Sequence, residues 1–159
     1  MQKMILVDYD KCTGCRYCET VCTINHEGVC NPARARIKVL RSEFAAFQAP
    51  TLCQQCIEAP CITVCPREAL ARDEELGRVT LNESLCIGCK ACITICPFGA
   101  MRFDDVRQKP IKCDFCDGDP ACIKACSTGA LTFGDATDAN LAKKMSLAEK
   151  LIGTARRFV

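Results

Sequence analysis

Seventeen of the 159 residues are cysteine, and sixteen of them fall in four short runs. The first is Cys12-x2-Cys15-x2-Cys18-x3-Cys22, and the second is Cys53-x2-Cys56-x4-Cys61-x3-Cys65, followed by Pro66. The third is Cys86-x2-Cys89-x2-Cys92-x3-Cys96, then Pro97, and the fourth is Cys113-x2-Cys116-x5-Cys122-x3-Cys126, then Ser127. The last three runs share a tail: Ala69-Leu70, Ala100-Met101 and Ala130-Leu131 lie four and five residues past the final cysteine. The chain is therefore a repeat array, which outranks any local reading. Thiols at this density serve either disulfides or metal. The odd count and the tight spacing oppose disulfides. So does the N-terminal stretch Met1–Asp10, which lacks a charged, apolar, then small export pattern. We expect a cytoplasmic chain whose thiols hold metal.

A cubane presents four irons at alternate corners, so four thiolates must reach it from different directions. Cysteines at every third residue wrap three thiolates around one cubane, and the fourth points away to the other cluster of a pair. The third run, with Pro97 behind Cys96, is the run found in bacterial two-cluster ferredoxins. Zinc ribbons use separated pairs of cysteines and need only four ligands per site, which does not describe these runs. The expected cofactors are thus four [4Fe–4S] clusters. The formal charge of +2 then misleads, because each oxidised all-cysteine site brings about −2. The 21 Lys and Arg read as offsetting clusters rather than as a nucleic-acid patch. With 6% aromatics and no Trp, there is no stacking surface for bases. No apolar run approaches the ~20 residues of a membrane helix.

Secondary structure is short and subordinate to the runs, giving an α+β class. Strands are expected at Met4–Val7, Ile37–Leu40, Arg78–Leu81, Ala100–Phe103 and Ala130–Phe133. Ile93–Ile95 and Ile123–Ala125 read as starts of short helices. Residues 138–152 read as a longer helix capped by Asp138, with Leu141, Met145, Ala148 and Ile152 on one face packed on its own domain. Ile57, Ile62, Val64, Ile87, Ile93, Ile95 and Ile123 lie beside ligand cysteines and are expected to keep water from them. Cys30, the odd cysteine, reads as a buried spare, and His26 as holding the loop that follows it, with a proton shuttle or a hydrogen bond to a cluster sulfur as the alternatives. Arg34, Arg36, Lys38 and Arg41 read as a solvated strand face, and Asp73-Glu74-Glu75 as a solvated turn. There is no Gly-rich phosphate loop, no Ser/His/Asp set and no pair of carboxylates in a pocket-forming scaffold. Substrate chemistry is expected on another polypeptide.

The four runs can pair as neighbours, or with the second and third nested between the first and fourth. The 20 residues between Cys65 and Cys86, against 30 between Cys22 and Cys53, favour pairing the second with the third. Three segments, Cys12-Thr-Gly-Cys15-Arg-Tyr-Cys18, His26-Glu27-Gly28 and Asn31-Pro32-Ala33-Arg34-Ala35-Arg36-Ile37, together with the spread second and fourth runs, carry a family resemblance. Over residues 4 to about 133 the chain resembles the four-cluster iron–sulfur subunits of the dimethyl sulfoxide reductase and formate dehydrogenase type. It is closer still to the small branch serving tungsten aldehyde oxidoreductases, carbon monoxide dehydrogenases and hydrogenases. The resemblance implies nesting. One cluster takes Cys12, Cys15, Cys18 and Cys126, and its mate Cys22, Cys113, Cys116 and Cys122. The inner pair takes Cys53, Cys56, Cys61 and Cys96, with Cys65, Cys86, Cys89 and Cys92. Residues 1–52 and 97–135 then form an outer ferredoxin-like module, residues 53–96 an inserted inner one, and residues 136–159 a helical tail. The implied partners are a large catalytic oxidoreductase subunit, of tungsten or molybdenum pterin type, and a second redox partner, a flavoprotein or ferredoxin. A wire with two ends also permits self-association. A free polyferredoxin carrier is the alternative.

Overall fold

Each cysteine run carries a helix that begins near its third cysteine, long in the first run and a single turn in the other three. In the first run Thr23 follows the fourth cysteine, and α1 (Tyr17–Glu27) continues to Gly28. Gly28 adopts a left-handed φ of 70° and returns its N–H to the Ile24 carbonyl at 3.0 Å, closing the helix. Pro66 and Pro97 occupy the same place in the second and third runs, and a proline disfavours helix in the residue before it. There α2 (Pro60–Thr63) and α3 (Ala91–Thr94) are single turns. α4 (Ala121–Lys124), in the fourth run, is equally short. The eleven-residue α1 was not read from the sequence; the lack of any proline or glycine between Cys18 and Gly28 was its signal.

The computed structural model describes residues 3–42, 47–135 and 137. Among these, eight strands pair as four antiparallel ribbons of two. β1 (Lys3–Val7) pairs with the last strand, β8 (Leu131–Asp135), so the first and fourth runs are tied together; Lys3 stands opposite Asp135. β2 (Lys38–Ser42) pairs with β3 (Phe47–Thr51), β4 (Leu70–Asp73) with β5 (Arg78–Leu81), and β6 (Arg102–Asp104) with β7 (Lys109–Ile111). The five expected strands are β1, β2, β5, β6 and β8, with ends displaced by up to two residues. β3, β4 and β7 were not foreseen. Pro50 and Pro110 argue against β3 and β7, but in a ribbon of two a proline can turn its missing N–H away from the partner. At the Val39–Pro50 position the Val39 N–H indeed faces outward, donating to Glu19 at 2.7 Å. Ala100 and Met101 precede β6 as buried plugs rather than belonging to it.

The apolar interior is divided. Ile5, Ala35, Ile37, Val39, Leu52, Phe115 and Leu131 pack with Cys18, Cys22, Cys113 and Cys122. Ala59, Leu70, Val79 and Met101 form a separate cluster with Cys92. Between the two runs a polar seam. Arg34 donates to the buried Asp104 carboxylate, and Arg107 pairs with Glu27, tying α1 to the β6–β7 ribbon. The expected helix at 138–152 lies outside the described residues. No described helix is long and apolar enough to cross a membrane.

Candidate metal centre

The loops between the first two cysteines of each run share one backbone feature. Gly14, Gln55, Gly88 and Phe115, each directly before the second cysteine, have φ of 70°, 49°, 70° and 63°. A left-handed residue turns successive backbone N–H groups toward one concavity, a nest that suits anions and iron–sulfur sites. Glycine adopts this conformation freely. Gln55 and Phe115 do not, and both are fully buried, so packing holds them in place. The Gln55 amide donates to the Cys113 carbonyl at 2.7 Å and accepts the Val79 N–H at 2.8 Å. The Phe115 ring meets Phe133 edge-on, with centroids 5.2 Å apart. Cations take up the loop carbonyls. Arg72 donates to those of Cys56 and Ile57, Lys109 to those of Cys86 and Glu83, and Lys112 to that of Cys113.

Three recesses open among the cysteines. Cys65, Cys86, Cys89 and Cys92 line the first; Cys22, Cys113, Cys116 and Cys122 the second; Cys53, Cys56, Cys61 and Cys96 the third. Of the remaining four, Cys12 and Cys15 lie near enough to Cys18 to act on its ionisation, while Cys12 and Cys126 pack on the same apolar cluster. Burial is the main force on most of these thiols. It pushes Cys18 and Cys122 up to about 12 and Cys92 to about 11, and raises Cys113 further. Neighbouring cysteines add to the effect. Thiols that resist ionisation alone, yet crowd in fours around one space, fit a cationic metal core that draws off their protons on binding.

Cys65 and Cys126 behave differently. Burial acts to raise both, but it is outweighed and each lies below the ordinary thiol range. For Cys65 the lowering comes from the N–H groups of Arg67, Ala69, Leu70 and Glu68. For Cys126 it comes from the Thr128 hydroxyl and the N–H groups of Leu131, Ala130 and Thr128. In the second and fourth runs this accounts for the Ala-Leu tail. Its side chains are buried in the core, while its N–H groups reach back to the fourth sulfur, as Ala69 does at 3.3 Å. Hydrogen bonds of this kind are one of the protein's levers on cluster potential. Two further donors are the Arg36 N–H to Cys22 at 3.3 Å and the Gly88 N–H to Cys86 at 3.4 Å.

Several expectations need correction. His26 does not merely hold a loop: its Nε2 lies 3.4 Å from the Cys116 sulfur and 3.5 Å from Asp114. Burial first, and Arg36 second, press its imidazole below the usual range toward the neutral form. Arg34, Arg36 and Lys38 are not a solvated face, because each neutralises a carboxylate: Asp104, Asp114 and the buried Glu19 respectively. Cys30 is exposed, not buried, since the turn after Gly28 carries it off the core. Ile62, Ile93 and Ile123 pack on the two apolar clusters as expected, whereas Ile57, Val64, Ile87 and Ile95 stand at the surface of the chain. Asp73-Glu74-Glu75 is the hairpin turn it was read to be, with Glu74 and Glu75 exposed. The buried polar residues Glu19, Gln55 and Lys112 escaped the sequence reading. Their position directly beside a ligand-type cysteine was the available signal.

Comparison with known proteins agrees with this chemistry. A 4Fe-4S dicluster domain family matches residues 44–136, and a 4Fe-4S binding domain matches residues 4–29. The polyferredoxin-like subunit of an aliphatic sulfonate oxidoreductase from Pyrococcus furiosus is 41% identical over 69% of this chain and 63% of its own length. The electron transport protein HydN of Escherichia coli is 39% identical over 64% of this chain and 59% of its own. The chain thus spans about three-fifths of the length of these relatives. Among solved structures, a chain of the BamBC active site complex of benzoyl coenzyme A reductase is 26% identical. It has a TM-score of 0.51 and matches over 97% of this chain and 96% of that one. Cysteine runs, anion-binding loops and relatives converge: the chain belongs to the 4Fe-4S dicluster domain family and is a ferredoxin-like iron–sulfur protein of electron transfer.

Proposed function

We propose that the chain holds four [4Fe–4S] clusters in single file and relays electrons between a catalytic oxidoreductase chain and a second redox partner. The ligand sets are Cys12, Cys15, Cys18 and Cys126; Cys22, Cys113, Cys116 and Cys122; Cys53, Cys56, Cys61 and Cys96; and Cys65, Cys86, Cys89 and Cys92. When bound, each cluster supplies a one-electron couple. The observation that carries this reading is the grouping of thiols around the recesses, each drawing on two separate runs. The file order follows from which thiols of different sets act on one another. Cys18 acts on Cys122, Cys53 on Cys113, and Cys61 on Cys92, so each set lies near the next. The first two sets form the outer module, residues 1–52 and 97–135, and the last two the inner one, residues 53–96. The chain's own groups bind and orient the centres: left-handed loops aim N–H groups, cations hold loop carbonyls, and apolar side chains fill the gaps. Anaerobic protein is expected to carry about sixteen iron and sixteen acid-labile sulfide per chain; eight of each would sink the four-cluster reading.

The catalytic partner in this reading is a large tungsten or molybdenum pterin oxidoreductase. The sequence resemblance supports that choice, as does the subunit status in the name of the Pyrococcus relative. The likeness to a chain of a complex named for its active site points to a catalytic partner as well. A second reading, a free carrier, is favoured by the relative named simply as an electron transport protein. Anaerobic purification at native level separates them: stoichiometric co-elution with a large metal-pterin chain supports the first, and elution alone supports the second.

A further inference from the structure

Lys112 is a buried lysine, 4% exposed, set between the two apolar clusters, since it bonds to Val79 of one and Cys113 of the other. Its Nζ meets three oxygen acceptors: the Val79 carbonyl, the Cys113 carbonyl at 2.9 Å and the Gln55 side-chain oxygen at 3.3 Å. An ammonium has three N–H donors, and a neutral amine has two. Three acceptors around one nitrogen are therefore matched only by the charged form. None of the three is anionic, and among the described residues no carboxylate forms an ion pair with Lys112. Arg36 and Arg78, which line one surface recess together with Lys112, differ in this respect, since Arg36 pairs with Asp114 and Arg78 with Asp73 and Asp117. A buried charge without a partner is costly, so something anionic must face it.

The candidates are the cysteine sites on either side. Cys113, next in sequence, lines the Cys22–Cys113–Cys116–Cys122 recess. On the other side, the Lys112 charge also acts on Cys61, which lines the Cys53–Cys56–Cys61–Cys96 recess. We propose that Lys112 is the shared counter-charge of the two middle clusters, and that it holds both at higher potential than they would otherwise have. One electron entering either cluster adds one negative charge without a proton, and a fixed positive charge nearby favours that reduced state. The middle of the file thus becomes the place where an electron rests between an input and an output end.

This inference rests on the four-cluster reading, and the experiment keeps the two apart. Iron and sulfide content of the wild-type protein tests that reading. Redox titration of anaerobic holoprotein, followed by low-temperature paramagnetic resonance, tests this one. In Lys112→Met, two of the four midpoints are expected to fall by about 59 mV or more, a tenfold change in the reduced-to-oxidised ratio at fixed poise. The other two stay in place, and Lys112→Arg stays near wild type. Four unmoved midpoints in Lys112→Met, or a uniform shift of all four, would overturn the proposal. Should Lys112→Met lose its iron, Gln55→Glu carries the test by placing a carboxylate against the same nitrogen. It is expected to lower the same two midpoints; unchanged potentials, or loss of iron from Gln55→Glu as well, assign Lys112 to structure alone and overturn the idea.

Discussion

Glu19 shows how a single side chain can organise a cluster loop. Its carboxylate is wholly buried, accepts the Val39 N–H at 2.7 Å, and pairs with Arg16 at 2.8 Å and Lys38 at 3.2 Å. Burial acts to raise its pKa, but these donors outweigh it and leave the group ionised. Glu19→Ala strands the Val39 N–H and two cations, so we expect a loss of about 3 kcal/mol, read from anaerobic denaturant midpoints. Glycines separate conformation from contact. A Cβ at Gly88 would lie 2.6 Å from the Gln108 carbonyl oxygen, whereas one at Gly99 meets nothing within 4 Å, and both have positive φ. Gly99→Ala should cost about 1 kcal/mol and keep its iron. Gly88→Ala should lose about a quarter of the iron on purification, because the clash is with backbone. Cys30 makes the complementary case. Being exposed and outside every run, Cys30→Ser should leave iron content unchanged while abolishing alkylation of the native holoprotein.

Among the elements, the ribbon of β1 and β8 has the longest reach, because it closes the chain around everything between. Ile5 sits at its centre, 3% exposed, against Phe133 in register. Ile5→Ala should cost about 2–5 kcal/mol. If the modules are as proposed, clusters held by the first and fourth runs should be lost before the inner two. Stepwise bleaching of cluster absorption during mild heating would show two phases; a single phase would count against independent modules. The short helices have little strength of their own, since a single turn lies far below the length at which a helix persists in water. They hold shape because their ends are pinned to cysteines.

At the scale of the whole molecule, the apolar core is too thin to account for an ordered chain of this length. At their edges the two small clusters hold as many cysteines as aliphatic side chains, six of each. Metal binding must therefore supply much of the folding energy. Removing iron with a chelator under reducing, anaerobic conditions should abolish cooperative unfolding and most of the strand signal in circular dichroism. An apo-protein that still melts cooperatively would show the opposite. The charge balance points the same way: Arg34, Arg36 and Lys38, read as a solvated face, are engaged with carboxylates, while Lys109 and Lys112 hold loop carbonyls beside the sulfur sites.

Cysteine spacing alone determined the class of cofactor, because thiolate geometry around a cubane tolerates few sequence patterns. It also placed the short helices at the third cysteine of each run, with Pro66 and Pro97 behind two of them. Strand patterns gave five of the eight described strands, failing among others where a proline sat at an outward-facing position such as Pro50. What the spacing could not express is how the runs meet. That Gln55 of the second run reaches the carbonyl of Cys113 in the fourth, that His26 touches Cys116, and that Lys112 bonds to three neutral oxygens are long-range facts. They depend on which surfaces come together when the ends of the chain pair through β1 and β8, and no local periodicity records that choice.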